Sequence, residues 1–181
     1  MKRRISAIAI VALTLGAAGA RAQPADFSFR FEFGCESPDF LDTFTGSFTR
    51  LWHDDVPSAK IQPRPAYVQP STTIPLRLSN EQTALIAEAI EQARFWSYPA
   101  DFTRSGRAVP AEATAITTVV PFQSYKLEVR REGRIQSVSW DDKSLPSSEE
   151  ANRLRQLFAL IRTTVYEYPA VQQLRIKSPC E

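Results

Sequence analysis

The sequence contains few of the residues that usually bind metals or act as nucleophiles. Among 181 residues there are one histidine and two cysteines, and the cysteines do not form a Cys-x-x-Cys motif. No Gly-x-Ser-x-Gly sequence is present, so the nucleophile elbow of a hydrolase is missing. His53 stands beside Asp54 and Asp55, but a zinc site needs three or four converging ligands, and neighbours on an extended chain point in opposite directions. We therefore predict no catalytic, cofactor-binding or metal-binding residues.

The sequence also lacks an apolar run long enough for a permanent membrane span, which takes about 20 residues. Its one apolar run, residues 5–20, follows Lys2, Arg3 and Arg4 and precedes the small residues of Ala20-Arg21-Ala22. This order is typical of a secretory signal peptide. We predict a signal peptide over residues 1–22, a mature chain beginning at Gln23, and a periplasmic or secreted bacterial protein. General secretion is favoured over the twin-arginine route.

Without the signal peptide, the chain has no excess of basic residues. The precursor has 22 basic and 20 acidic residues, and four of the basic ones lie in residues 1–22, which leaves 18 against 20 and a net charge of −2. Nucleic acid is therefore not an expected partner, because its binding depends on neutralising phosphates. The mature chain, residues 23–181, has a length that suits one domain.

The two cysteines lie near the ends of the mature chain, at Cys35 and Cys180. An even number in an exported protein favours a disulfide. In the chain-entropy model, closing a loop of about 146 residues stabilises the fold by up to about 5 kcal/mol. An intermolecular bridge and a catalytic thiol are the alternatives, and the second lacks a neighbouring base or a nearby second cysteine.

Period-two patterns predict the strands. In residues 27–33 four phenylalanines alternate with polar residues, and in residues 124–130 apolar and charged residues alternate in the same way; both are typical of a strand with one buried face. Residues 43–52 predict a further strand after a turn region at 34–42. A tight turn at 131–133 and a return strand at 135–140, ended by Asp141-Asp142, complete a hairpin, while residues 114–120 predict another strand that ends at Pro121.

Two amphipathic helices are predicted from capping residues and apolar stripes. Ser79 and Gln82 form a capping box for the first helix, which ends near Arg94. Ser147 and Glu150 have the same spacing before the second helix, whose apolar residues fall at i, i+3, i+4, i+7 and i+11: Leu154, Leu157, Phe158, Ile161 and Val165. The elements predict an α+β fold, with an antiparallel β-sheet and two main amphipathic helices packed on one face.

Residues 56–75 contain five prolines, which exclude a helix or a central strand because proline lacks an amide donor. We predict an extended Pro-rich connector there and regard it as a candidate contact with a partner.

Several short stretches also suggest a family. The sequence Phe-Trp-Ser-Tyr-Pro at 95–99, Tyr-Lys-Leu-Glu-Val at 125–129, Gly133, Val-Ser-Trp-Asp-Asp at 138–142 and the Leu-rich closing helix resemble small exported bacterial proteins of unknown function. The resemblance covers roughly residues 74–166. It implies no activity and no catalytic residues.

The function that these observations favour is an exported, non-catalytic binding module that contacts a protein or an envelope polymer through the Pro-rich connector or the polar sheet face. One alternative is a periplasmic hydrolase that uses Asp141, Asp142 or His53, although adjacent strand residues point to opposite faces. The other is a structural envelope protein or an inhibitor-type protein that presents an extended loop.

Overall fold

A computed structural model of the protein describes residues 26–35, 38–51 and 71–174. The predicted signal peptide, His53-Asp54-Asp55 and Cys180 lie outside the described residues, as do residues 56–70 of the Pro-rich connector. Cys35 follows the first strand and is half-buried. Its bridge to Cys180 stays a prediction.

The described strands form one six-stranded antiparallel sheet in the order β4-β3-β2-β1-β5-β6. The elements are β1 (Ser28–Gly34), β2 (Asp39–Asp42), β3 (Ser47–Leu51), β4 (Ser71–Pro75), α1 (Asn80–Gln92), β5 (Thr117–Arg131), β6 (Arg134–Leu145), α2 (Glu149–Tyr166) and α3 (Pro169–Gln172), with a 3-10 turn at Phe95–Ser97. The predicted α+β fold with an antiparallel sheet is confirmed.

The phenylalanine face of β1 forms the centre of the core. Phe29, Phe31 and Phe33 are buried, and Phe31 pairs with Leu41 on one side and with Leu127 on the other. Buried side chains of α1 and α2 belong to the same cluster, and the ring of Phe158 in α2 lies 5.2 Å from that of Phe31. The helices therefore cover the face of the sheet that the alternation predicted to be buried.

The region between residues 34 and 52 differs from the prediction. Two short strands, β2 and β3, replace the turn followed by one long strand, and residues 43–46 form the turn between them. The reason lies in Asp42, whose Oδ1 accepts hydrogen bonds from the amides of Phe44 and Thr45, and in Gly46, whose φ of +68° suits the end of a tight turn.

The hairpin is longer at its open end than predicted. Pro121 does not end a strand, because the register of β5 against β6 shifts between Thr118 and Gln123, and an irregularity of this kind accommodates a residue without an amide donor. Asp141-Asp142 does not end the return strand either, since β6 continues to Leu145. Residues 71–75 of the predicted connector form β4, at the edge of the sheet, where proline is tolerated.

The predicted N-cap is correct for α1 and wrong for α2. The capping box of α1 is confirmed, since Ser79 Oγ accepts from the amide of Gln82 and Gln82 Oε1 accepts from the amide of Ser79. For α2 the prediction was wrong by one residue: Ser148 is the N-cap and its Oγ accepts from the amide of Ala151. The apolar stripe predicted for this helix is buried throughout.

Candidate interaction surface

The two adjacent carboxylates in β6 do not act together. Asp141 accepts a hydrogen bond from Ser124 Oγ at 2.8 Å and lies 3.6 Å from Lys143 Nζ. Asp142 binds the guanidinium of Arg155 through two hydrogen bonds of 2.8 and 2.6 Å, and this contact raises the pKa of Arg155. Each carboxylate therefore has its own partners, as expected for neighbours on opposite faces of a strand.

The structure also bears on three other features considered from the sequence: metal ligands, membrane spans and the aromatic segment at 95–99. In residues 26–35, 38–51 and 71–174, no three histidine, cysteine or acidic residues come close enough to hold a metal ion. None of the helices in that part of the chain is both long enough and apolar enough to cross a membrane. Phe95 and Tyr98, in the aromatic segment before Pro99, are buried in the core.

A buried ion pair lies on the helix side of the sheet. Asp39 and Arg50 are only 5% and 8% exposed, and Arg50 Nη2 lies 2.9 Å from Asp39 Oδ2. Tyr166 donates to the same carboxylate oxygen at 3.1 Å, and burial raises the pKa of its phenol. Arg50 also donates to the carbonyl of Leu174. These bonds satisfy the charges and join β2, β3 and the end of α2, so the role of the pair is structural.

Sequence reasoning missed this pair, although a signal existed. Arg50 is two residues from Phe48, so the period of a strand places both on the buried face. Asp39 was assigned to a turn, and its place opposite Arg50 follows from the pairing of β2 with β3, in which Phe40 faces Thr49.

The opposite face of the sheet is polar and open. Three ion pairs lie on it: Arg30–Asp42 at 3.2 Å, Lys126–Glu32 at 3.6 Å and Arg130–Glu128 at 2.9 Å. The guanidinium groups of Arg30 and Arg130 lie 4.8 and 4.3 Å from the ring centre of Phe44. Because these charges already neutralise one another, the face offers a ligand little unpaired charge.

An exposed apolar surface lies where β5 and β6 extend beyond the rest of the sheet. We call residues 116–122 and 143–145 the apolar arm. Its exposed side chains are Ile116 (63%), Val119 (37%), Val120 (79%) and Leu145 (45%). No charged residue occurs between Glu112 and Lys126. Four large aliphatic side chains left in water at one end of a hairpin make this end the candidate contact surface.

The strand edges of the arm are also free in the part of the chain that the structure describes. The pairing of β1 with β5 stops at Gly34 and Ser124, so among the described strands residues 117–122 have no neighbour other than β6, which pairs with Thr117 and Thr118. The middle of β6 is covered on its outer edge, since its Ser139 exchanges backbone hydrogen bonds with Ala100 and Phe102. The arm, beyond this cover, presents unpaired backbone groups, which can pair with an added strand.

No family model matches the chain, and no curated protein is significantly similar to it. The resemblance to small exported bacterial proteins is untested by these comparisons and stays a prediction.

Proposed function

We propose that the protein is an exported, non-catalytic binding module that holds a protein partner through the apolar arm. The observation that carries the proposal is the exposure of Ile116, just before β5, and of Val120 and Leu145, on strands whose outer edges have no partner among the described residues. Burying these side chains against a partner would contribute about 25 cal/mol for each Å² of apolar surface removed from water.

The chemistry of the arm favours a protein over an envelope polymer. The large side chains that it exposes, Ile116, Val119, Val120 and Leu145, are aliphatic. Its one charged side chain, that of Lys143, lies 3.6 Å from Asp141, and it has no amide side chain that would bind sugar hydroxyls. An extended peptide can instead satisfy the free backbone groups of the arm by strand addition, with its own apolar side chains packing against Val120 and Leu145. The polar sheet face is less suitable, because its ion pairs are formed within the chain.

Export is the second part of the proposal and rests on the sequence. The signal peptide at 1–22 directs the chain to the periplasm or out of the cell, where oxidising conditions allow Cys35 and Cys180 to form a disulfide. Mass spectrometry of the intact protein from the periplasm or the medium is expected to show a chain that begins at Gln23 and is two hydrogens lighter than the reduced form. A full-length precursor in the cytoplasm would contradict this.

Hydrolysis is the less favoured alternative. Asp141 is near Lys143 and Asp142 binds Arg155, on opposite faces of β6. Acid–base catalysis needs both groups within reach of one substrate bond.

The arm is tested with matched single substitutions. Val120→Asp places a charge in the arm, whereas Ile135→Asp places one at the other end of the same hairpin, where Ile135 is 63% exposed. The tagged proteins are exported, cross-linked in the envelope of the host cell and purified. We expect one protein partner to be captured by the wild type and by Ile135→Asp, and lost with Val120→Asp.

Three controls make the result interpretable. Thermal unfolding should be nearly unchanged in both variants, because substitutions of exposed residues usually change stability by less than about 0.5 kcal/mol. A chain with residues 57–70 replaced by a Gly/Ser linker, which spares β4, tests the connector. Isolated envelope polymer, freed of protein, tests the polymer. The arm is refuted as the contact if Val120→Asp captures the partner as well as the wild type does. It is also refuted if only the variant with the Gly/Ser linker loses the partner, or if Val120→Asp binds the isolated polymer as strongly as the wild type.

A further inference from the structure

The first strand of the apolar arm has the composition of a segment that pairs with a copy of itself. Residues 116–120 are Ile, Thr, Thr, Val and Val, which are all β-branched, and residues 113–125 carry no charge. β-Branched residues favour strands, and short uncharged segments of this kind pair with identical segments when they lie on an exposed edge. Pro121 follows them and limits the length of the segment, because proline has no amide donor.

The backbone of the arm leaves room for one more strand beside β5. Its pairing with β6 includes Thr117 and Thr118, and no other described strand pairs with residues 117–122. Among the described residues, no backbone hydrogen bond outside the helices and strands involves residues 114–122. The strand pairs of the described sheet are all antiparallel. The same arrangement lets the free edge of β5 pair with the same edge of a second copy across a two-fold axis.

The charges of the arm are compatible with this self-pairing. A two-fold axis brings each side chain near its own counterpart, so a charged residue at the contact would meet a like charge. The one charged side chain of the arm is that of Lys143, whose Nζ lies 3.6 Å from a carboxylate oxygen of Asp141. The large side chains that the arm exposes are all aliphatic: Ile116, Val119, Val120 and Leu145. A second arm is therefore complementary to the first, apolar against apolar.

The size of the arm determines how strong such a contact is. A strand rises about 3.4 Å per residue, so residues 116–122 extend over at most about 24 Å. Two strands about 4.8 Å apart make a ribbon about 10 Å wide, and each face then has an area of about 240 Å². Stable interfaces bury about 800 Å² on each partner. Both faces of the arm together supply less than this, so the contact belongs to the weak and reversible class.

We propose that the partner of the apolar arm is a second copy of this chain, paired arm to arm and antiparallel across a two-fold axis. The inference rests on the proposed function and names the partner that this function requires. The second arm occupies the place beside β5 that β1 leaves at Gly34. Val120 and Leu145 of both copies leave water, and the backbone groups of residues 117–122 gain partners. The contact closes at two copies, because each arm is used once.

Sedimentation equilibrium of the mature protein, at concentrations between about 1 µM and 1 mM, measures the association. The wild type should change from monomer to dimer over this range, and so should Ile135→Asp, which lies at the other end of the same hairpin. Val120→Asp and Val120→Lys should each associate at least about tenfold more weakly, because two like charges then enter an apolar contact. An equimolar mixture of these two variants should regain association, since opposite charges meet across the axis.

Methyl NMR signals show where the two copies touch. Those of Ile116 and Leu145 should shift with protein concentration, whereas those of Leu85, which is 43% exposed on α1, should not. The inference is overturned if the wild type stays monomeric up to about 1 mM. It is also overturned if Ile135→Asp weakens the dimer as much as Val120→Asp, or if the mixture associates no better than its two components.

Failure of this inference and failure of the proposed function give different results. If the wild type is monomeric but captures a different protein in cells, and Val120→Asp does not, the second copy is refuted and the arm remains the contact. If Val120→Asp forms dimers and captures a protein as well as the wild type does, the arm is refuted for both.

Discussion

Replacing Asp39 with asparagine tests the structural role of the buried ion pair. The amide has nearly the shape of the carboxylate but no charge. Arg50 then stays in the core, with Nε and Nη2 facing the amide at positions where they donate to Asp39 at 2.9–3.3 Å. Tyr166 also loses a charged acceptor.

The expected loss of stability follows from these contacts. Removing one partner of a buried pair costs about 3–5 kcal/mol, because the other charge loses its counter-ion. Part of this loss of stability is offset, since Arg50 keeps its hydrogen bond to the carbonyl of Leu174 and its guanidinium carbon lies 5.6 Å from the ring centre of Tyr166. We therefore expect a loss of about 3 kcal/mol in the free energy of unfolding. For a chain of this size that corresponds to a Tm lower by about 6–12 °C.

The assay is urea unfolding followed by far-ultraviolet circular dichroism. Glu32→Gln is the control, because the Glu32–Lys126 pair spans 3.6 Å on the open face with side chains 40% and 55% exposed, and such pairs contribute about 0–1 kcal/mol. Asp39→Asn combined with Arg50→Met should regain much of the loss, since the guanidinium is removed together with the carboxylate that it binds. A loss below about 1 kcal/mol in Asp39→Asn, or a double variant less stable than the single one, would refute the reasoning.

Two further predictions concern α2 and its surroundings. Ser148→Ala should lower stability by about 1 kcal/mol and Ser147→Ala by clearly less, because Ser148 is the N-cap; urea unfolding of both variants distinguishes them, and the reverse order would contradict the observed cap. Hydrogen bonding from Arg107 lowers the pKa of Glu150. The ionised carboxylate of Glu150 therefore adds to the free energy of unfolding. This stabilisation is present above the unfolded pKa of about 4.3 and is lost as the pH falls through the folded pKa. Glu150→Gln should be less stable than the wild type at pH 7, and the difference should vanish in acid; a difference that stays constant with pH would exclude the linkage.

The parts of the fold that were predicted depend on short-range patterns. The alternation of phenylalanines in residues 27–33, the hairpin turn and the stripe of α2 each need only a few neighbouring residues. Side chains at such spacings share a face whatever the rest of the chain does. The capping box of α1 is similar, because Ser79 and Gln82 satisfy each other's backbone amides within one turn.

The parts that were missed depend on a partner strand or a distant side chain. The break between β2 and β3 is made by the carboxylate of Asp42, and the passage of β5 through Pro121 depends on a register shift against β6. The burial of Arg50 depends on the position of Asp39 across the sheet. Local propensity does not report any of these contacts.

By itself the sequence determined which residues alternate, which stripe is apolar and where a helix is capped, and so it determined the fold class. It did not determine which apolar residues stay in water. Residues 117–122 and 124–130 belong to one strand, yet the second stretch is covered because β1 pairs with it and the helices pack on it, whereas that pairing ends at Gly34 and Ser124. Exposure of the apolar arm follows from where neighbouring segments begin and end in space, which only the tertiary structure decides.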